Sequence, residues 1–180
     1  MRRLLLLLLC LGMGAALCPA HAQEVLDGIA ATVNKEVVTF SQVRDITKPK
    51  EKQARETLRG MELVMKIKEM RTAAVSELVD RSLILQDAKA QSLTIPESAI
   101  DKRIQSIIDT KFGGNRASFL KSITARGYTL ATFRDLQRDN IAVEKMRAVA
   151  TIGARTPEEA KQREQKWLQA LRQKAFIKLF

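Results

Sequence analysis

The stretch that most constrains the fold is DGIAATVNKEVVTF, residues 27–40. It predicts two short strands around a tight turn, a hairpin of about 28–40. No other stretch before the last helix has a strand-like pattern. A two-stranded hairpin alone is marginal in water, so this hairpin requires a further partner.

The last residues of the sequence, AFIKLF, offer that partner. Around a single Lys178, the β-prone side chains are Phe176, Ile177, Leu179 and Phe180. The alternative is that these residues continue the preceding helix, and periodicity over so short a run does not decide between the two. We expect a strand at about 176–180 that pairs with the hairpin, because a third strand would stabilise it.

Between the hairpin and this last strand, the sequence predicts helices. Ser41 is the expected N-cap of the first, and helix formers continue to about Leu93. Pro49 is expected to end a first short helix or to begin the next one. Residues at helical spacing then predict a buried stripe: Val64, Ile67, Ala74, Leu78 and Leu85. The opposite face is strongly basic, since residues 48–71 hold eight basic and four acidic residues.

Glycines and capping residues divide the next part of the chain. A helix beginning near Pro96 has its apolar face at Ile100, Ile104, Ile107 and Ile108. After GGN at 113–115, Asn115 can cap a further helix, and Gly127 suits the left-handed residue that ends it. Thr129 begins another helix, whose apolar set is Leu130, Phe133, Leu136, Val143 and Met146.

The clearest local signal is the start of the last helix. Thr156 at the N-cap, Pro157 at the first helical position and Glu159 at the third form a capping box. The apolar face of this helix is Trp167, Leu168, Leu171 and Ala175. The expected fold class is therefore mainly α, with a small antiparallel sheet formed by the hairpin and the last strand.

Residues 1–22 read as a secretion signal. Arg2 and Arg3 precede an apolar run, and the small residues Ala20 and Ala22 favour cleavage after Ala22. The alternative is an uncleaved anchor, although the apolar run is short for a membrane span. We expect export to the periplasm and a single domain over residues 23–180.

Cleavage would remove every cysteine and histidine of the chain: Cys10, Cys18 and His21. The processed chain would then have no ligands for the usual zinc sites, no thiol nucleophile and no histidine-dependent triad. No glycine-rich phosphate loop occurs, since the glycines at 113–114 are isolated. We therefore expect no catalytic residues, no metal, no cofactor and no use of ATP.

The net charge is strongly positive, with 31 basic and 20 acidic residues. In a cytosolic protein this would suggest nucleic acid, but export makes nucleic acid an unexpected partner. The remaining anionic partners are a membrane surface, envelope polysaccharide or acidic segments of other exported chains. The alternative is a solvated basic surface that serves solubility.

The order of these elements resembles the periplasmic SurA-type chaperones, in particular their N-terminal chaperone domain with its C-terminal helix. The segments that carry the resemblance are IAATVNKEVVTFSQV, AVSELVDRSLILQDAKAQSLTI with PESAIDKRIQSI, FLKSITARGYTLATFRDLQRDNIAVEKMRA, and WLQALRQKAFIKLF. Together they cover most of residues 25–180. The resemblance implies one module in which the N-terminal hairpin and helices pack with residues 156–180, the C-terminal helix and strand.

In that family, parvulin-type prolyl isomerase domains are inserted between the last N-terminal helix and the C-terminal helix. Here the junction is only ATIGAR, residues 150–155. The resemblance therefore implies an ATP-independent holding chaperone for unfolded or nascent envelope proteins, with no isomerase activity. The competing hypothesis is a structural or adaptor protein that docks through its basic faces on anionic membrane or polysaccharide.

A holding chaperone needs adaptable apolar surface with charge nearby. Methionine suits this role, and the candidates for client contact are Met61, Met65 and Met70. The alternative places them in the core, facing the hairpin. The basic candidates, which could instead be simply solvated, are Lys66, Lys68 and Arg71.

Trp167 is a further candidate for client contact, because a tryptophan at an open groove can stack on aromatic side chains. Its place on the apolar face of the last helix favours a core position. The last strand could also pair with the hairpin of a second copy, so a homodimer by strand or domain exchange is a further expectation.

Overall fold

The structure is a computed structural model that describes residues 27–180; the predicted signal peptide, residues 1–22, lies outside the described residues. This part of the chain is mainly α with a small antiparallel sheet, which confirms the expected fold class. The strands are β1 (Ile29–Val33), β2 (Glu36–Thr39) and β3 (Ile177–Leu179). The helices are α1 (Phe40–Thr57), α2 (Gly60–Ala90), α3 (Glu97–Phe112), α4 (Arg116–Thr124), α5 (Leu130–Ala150) and α6 (Pro157–Lys174).

The sheet has the order β2-β1-β3, and both pairs of strands are antiparallel. Val33 pairs with Glu36 across the turn of the hairpin, and Thr32 pairs with Lys178 of β3. The prediction that the last residues form a third strand is confirmed, and the helical alternative is wrong. The beginning and the end of the described chain therefore meet in one sheet.

Asn34 joins the hairpin turn to β3 and to α2. Its backbone adopts a φ of 57°, a left-handed conformation that asparagine tolerates better than most residues. The Asn34 amide donates to the Phe176 carbonyl at 2.8 Å, and the Phe176 amide donates to Asn34 Oδ1 at 2.9 Å. Asn34 Nδ2 donates to Gln86 Oε1 on α2 at 2.6 Å.

The start of α1 differs from the prediction. Thr39, not Ser41, is the N-cap: its hydroxyl accepts from the Gln42 amide, and Gln42 Oε1 accepts from the Thr39 amide at 2.9 Å. This reciprocal capping box satisfies two free amides at once. The Ser41 amide instead donates to the carboxylate of Asp27 at 3.0 Å.

Pro49 neither ends nor begins a helix, contrary to the prediction, because α1 continues through it to Thr57. A proline inside a helix costs about 3 kcal/mol. The buried residues of α1 recur every fourth position, at Val43, Thr47 and Glu51, so packing against α2 on both sides of the proline offsets this cost. The break between the helices lies at Leu58 and Arg59, before Gly60 with a φ of +58°.

The predicted stripe of α2 is exposed at its start and covered from Ile67 onward. Ala74 is buried, Ile67, Leu78 and Leu85 are half-buried, and Val64 is exposed. Until about residue 73, α2 lies beside α1 and has little else to cover it. We call α1 and residues 60–73 the arm.

Three buried clusters form the core, and α2 contributes to each. The first joins the sheet to α1 and α2. The second joins α3, α4 and α5, with half-buried Leu85 of α2 packed against it, and the third lies between α2, α5 and α6. The predicted faces of α3 and α5 are confirmed in the second and third clusters, where Ile100, Ile104 and Ile108 are buried and Phe119 packs edge-on between Phe112 and Phe133.

The predicted caps of the later helices are mostly confirmed. Asn115 and Thr129 cap α4 and α5, and Gly127 has a φ of +81° just beyond α4. Thr156 caps α6 by accepting from the Glu159 amide at 3.1 Å, with Pro157 at the first helical position. The reciprocal bond of the predicted box differs, because the Glu159 carboxylate accepts from the amide of Arg155, one residue upstream of the cap.

Candidate functional site

Two adjoining grooves with exposed apolar side chains run along α2. One has a volume of about 400 Å³ and the other about 630 Å³. Both are lined by Phe40, Thr72, Val75 and Phe180, so they form one continuous depression, which we call the α2 groove. Its end nearer the sheet is further lined by Ala30, Ser76, Val79, Arg172, Ile177 and Leu179. Its arm end is further lined by Val43, Arg55, Leu63, Val64, Ile67, Lys68 and Arg71.

Phe40 is placed in the groove by the turn from β2 into α1. As the first residue of α1, it donates its amide to the carbonyl of Gly28 at 2.9 Å. Gly28 has no side chain, and a Cβ there would lie 2.8 Å from Cδ2 of the Phe40 ring. The absence of that carbon lets the exposed ring lie against the backbone of the chain entering β1. Neither Gly28 nor Phe40 was predicted as a site residue.

The opposite wall of the groove comes from the end of the described chain. The Phe180 amide donates to the carbonyl of Ala30 at 3.1 Å, which holds residue 180 beside the start of β1. Leu179 and Phe180 are both largely exposed, and the ammonium of Lys178 lies 4.7 Å from the centre of the Phe180 ring. Large apolar side chains therefore flank the groove without being covered by the described chain.

The methionine candidates lie on the arm but outside the lining of the groove. Met61 is 74% exposed and Met65 is 59% exposed, so the alternative that places them in the core is wrong for these two residues. Met70 is half-buried. Met61 and Met65 stand on either side of Leu63 and Val64 in the sequence, and these two residues line the arm end of the groove.

The three basic candidates have different environments. Lys68 is exposed and lines the groove, while Lys66 pairs with Glu69 at 2.9 Å. Arg71 donates two hydrogen bonds to the carboxylate of Glu51, at 2.8 and 3.1 Å. Arg71 therefore connects α1 to α2 as well as lining the groove, a role that the sequence analysis missed.

Glu51 is the buried acid of the arm. The guanidinium of Arg71 holds the pKa of the Glu51 carboxyl below its ordinary value, and the Thr47 hydroxyl, at 3.0 Å, acts in the same direction against the effect of burial. Spacing alone could have paired Glu51 with Arg55, one helical turn away, and that contact is present at 3.6 Å. The bond to Arg71 depends on how α1 packs on α2, which the local sequence does not reveal.

Trp167 lies on α6, away from the α2 groove. It is half-buried against the cluster of α2 and α5 that contains Ile84, Ala88, Val143 and Met146, as the core interpretation predicts. The structure thus brings Lys68 and Arg71 to the groove, places two methionines beside it, and separates Trp167 from it.

Neither a metal centre nor a membrane span is found in the described part of the chain. Within residues 27–180, no three acidic side chains come together in a way that could hold an ion. Over the same residues, every helix is too short or too polar to cross a bilayer.

Comparison with known protein families identifies the family to which this chain belongs. The family model described as the SurA-like N-terminal domain matches residues 4–147, most of the chain. The chain belongs to the SurA-like N-terminal domain family. In this SurA-like chain, the match stops before α6 and β3, although β3 completes the sheet that β1 and β2 begin.

The curated relatives of the SurA-like chain carry the name Chaperone SurA. The protein of Bordetella pertussis is 27% identical over 129 residues, which are 72% of this chain and 24% of the relative. The protein of Pseudoalteromonas translucida is 31% identical over 121 residues, 67% of this chain and 27% of the relative. The SurA-like chain thus spans about a quarter of the length of the relatives it matches.

Proposed function

We propose that the protein is a periplasmic chaperone that holds unfolded envelope proteins without ATP. The observation that carries this proposal is the α2 groove, whose exposed apolar walls are built from both ends of the described chain. Membership of the SurA-like family and the chaperone names of the relatives support it. The predicted signal peptide supports the periplasmic location.

The groove suits weak binding of many sequences. Its lining joins aromatic and aliphatic side chains, and the exposed methionines beside it can repack against varied shapes. Lys68 and Arg55 at the arm end would attract acidic client segments and raise the rate of encounter more than the final affinity. Release is passive, since the client leaves as it folds.

We propose residues 23–180 as one domain, in which residues 156–180 are the C-terminal helix and strand. The participation of α2 in all three core clusters supports this division. The domain would lack prolyl isomerase activity, because α5 and α6 are joined directly by residues 151–156, where a catalytic domain is inserted in the family it resembles. An isomerisation assay at catalytic concentration, with a parvulin as positive control, tests this.

The processed protein, beginning at Gln23, tests the main proposal directly. At stoichiometric ratio it should suppress the aggregation of a denatured β-barrel protein diluted from urea, with or without ATP. Absence of suppression at several-fold excess would contradict the proposal. A folded β-barrel in detergent serves as the control client and should not bind.

The arm methionines are tested separately from the groove. We expect the double variant Met61→Ser, Met65→Ser to weaken suppression several-fold, because it removes exposed apolar surface without opening a core cavity. Val149→Ser, Ile152→Ser is the matched control, since these residues are 59% and 69% exposed at the junction of α5 and α6. Equal suppression of aggregation by the two double variants would mean that the methionines are not part of the binding surface.

A second function, docking on an anionic surface, is favoured by the outer face of α1. Arg44, Lys48 and Lys52 recur every fourth residue along a shallow cleft of about 630 Å³. Asp45, Glu51, Arg55 and Arg71 also line this cleft, and Glu51 pairs with both arginines. Like charges at this spacing repel one another, so an anionic partner would stabilise the face. Co-sedimentation with anionic liposomes tests this function, because electrostatic docking falls steeply with salt whereas apolar client binding does not.

A homodimer formed by exchange of β3 remains a prediction. In the structure β3 pairs with the hairpin of its own chain, and the same pairing could form between two copies. Light scattering over a range of concentrations measures the mass in solution.

A further inference from the structure

The outer edge of β3 is available for pairing. β3 is the last strand in the order β2-β1-β3, and no strand among residues 27–180 pairs with its other side. Phe180 donates to Ala30 and Phe176 accepts from Asn34, so residues 176 and 180 direct their peptide groups toward β1. In an antiparallel ladder the direction alternates, and Ile177 and Leu179 therefore direct theirs away from β1.

The same two residues also line the α2 groove. Ile177 and Leu179 pair with Val33 and Ala31, which are fully buried on the side of the sheet that faces α2. Cross-strand partners project to the same face, so the side chains of Ile177 and Leu179 face α2 as well, and both line the groove. A strand added to this edge would direct every second side chain into the groove.

This edge is only partly protected against pairing. Natural edge strands are protected by being very short, by charges, prolines or bulges, or by other elements that cover them, and β3 has only its length of three residues and one lysine. β3 has one charged residue, Lys178, whose ammonium lies over the Phe180 ring, and it is flanked by exposed Phe176 and Phe180. An exposed apolar edge of this kind favours aggregation unless it binds a partner.

We propose that the β3 edge binds an extended client segment as a fourth, antiparallel strand of the sheet. This inference rests on the proposed chaperone function and specifies the class of client: segments in which apolar and polar residues alternate, as in unfolded β-barrel strands. The apolar set lies in the α2 groove, against Val75 and Val79. Acidic residues at the end of the segment near Lys68 and Arg55 complement the charge of the arm.

Backbone methylation tests this pairing without changing the protein. The probe is a synthetic peptide that begins with Asp at its N-terminus and in which Phe and Val then alternate with Thr. An antiparallel strand places that N-terminal Asp beside Phe180, at the end of β3 nearest Lys68 and Arg55. In an antiparallel added strand, the residues facing the groove also direct their amides toward β3. We expect methylation of the Phe and Val amides to weaken binding at least about tenfold, and methylation of the Thr amides to leave it nearly unchanged.

Variants of Leu179 provide the matched test on the protein. Leu179→Ala removes the side chain and keeps the outward amide, while Leu179→Pro also removes that amide, as an edge strand tolerates. Leu179→Pro should weaken binding of the unmethylated peptide clearly more than Leu179→Ala does, because only the proline removes the bond that the Leu179 amide donates to a peptide carbonyl. Circular dichroism should show that both variants remain folded. If the proline variant unfolds, edge pairing is tested by the affinities of the two methylated peptides for the unchanged protein.

Each outcome is informative. If both methylated peptides bind the unchanged protein equally while aggregation is still suppressed, edge pairing is wrong and the chaperone function stands. If neither the unmethylated peptide nor a denatured β-barrel binds, both proposals fail. If no peptide binds and light scattering shows a dimer that Leu179→Pro dissociates, a second copy occupies the edge and the proposal is overturned.

Discussion

At the scale of single residues, Asn34 makes contacts that its local sequence does not predict. Its side chain bonds both to the amide of Phe176 and to Gln86, so it links the turn, β3 and α2. Asparagine in a predicted tight turn is unremarkable by itself. Its partners lie 52 and 142 positions away along the chain, beyond the reach of local pattern.

Substitution at Asn34 separates its backbone role from its side-chain role. Asn34→Gly keeps the left-handed conformation and loses the two side-chain bonds, so we expect a loss of about 1–3 kcal/mol in the free energy of unfolding. Asn34→Ala should cost about 1 kcal/mol more, because alanine disfavours a positive φ. Chemical denaturation measures both, with Lys35→Ala as the control. If Asn34→Ala matched the control, this role of Asn34 would be wrong.

Glu51 predicts a dependence of stability on pH. Since Arg71 lowers the pKa of the folded carboxyl, the contribution to stability is fully present above the ordinary value of 4.5 and is lost as the pH falls through the lowered pKa. At pH 7, Glu51→Gln should be less stable than the unchanged protein by about 1–3 kcal/mol. Denaturation at pH 7 and pH 3 should show this difference shrinking in acid.

Glu62→Gln is the control for this pH test, because Glu62 is exposed in the first turn of α2. It should change stability little at either pH. A difference between Glu51→Gln and the unchanged protein that stayed constant from pH 7 to pH 3 would contradict the role given to the ion pair with Arg71.

At the scale of elements, the sequence was informative wherever an apolar period or a cap acts locally. The isoleucine face of α3, the Asn115 and Thr129 caps and the cap of α6 were all predicted, because each depends on residues three to eight positions apart. Pro49 and Val64 were interpreted wrongly because tertiary packing decides them. The contact between α1 and α2 stabilises a helix across the proline, and the projection of the arm leaves Val64 exposed.

The groove was only partly predictable for the same reason. The charged and methionine candidates lie in the predicted helix of residues 60–90, and Lys68 and Arg71 do line the groove. Its aromatic walls come from Phe40 and Phe180, which are far apart in sequence and meet only when the sheet forms. Phe40 follows the hairpin and Phe180 follows the predicted third strand. The prediction that this strand pairs with the hairpin could therefore have indicated that the two rings lie close together.

Removal of residues 176–180 tests the importance of β3 as an element. The deletion removes the pairing with β1 and the bonds between Phe176 and Asn34, leaving the hairpin with two strands. We expect a clear fall in the melting temperature of the whole domain, measured by circular dichroism. An unchanged melting temperature would mean that the hairpin is stabilised by α1 and α2 alone.

At the scale of the whole molecule, the sheet connects the two ends of the described chain, and α2 connects the three core clusters. A groove lies where these two connections meet, with Phe40 and Phe180 on its walls. Because α5 passes to α6 through residues 151–156 on another part of the molecule, an insertion there would leave the sheet and the groove intact.

If unfolded clients bind in the α2 groove, loss of two of its exposed apolar side chains should weaken that binding. Val64→Ser, Phe180→Ser changes two exposed groove residues, and Val149→Ser, Ile152→Ser changes two residues of similar exposure elsewhere. Titration of a fluorescent, unfolded β-barrel protein should give a dissociation constant at least about tenfold weaker for the groove variant and unchanged for the control. Equal affinities for the two folded variants would mean that clients do not bind in the α2 groove.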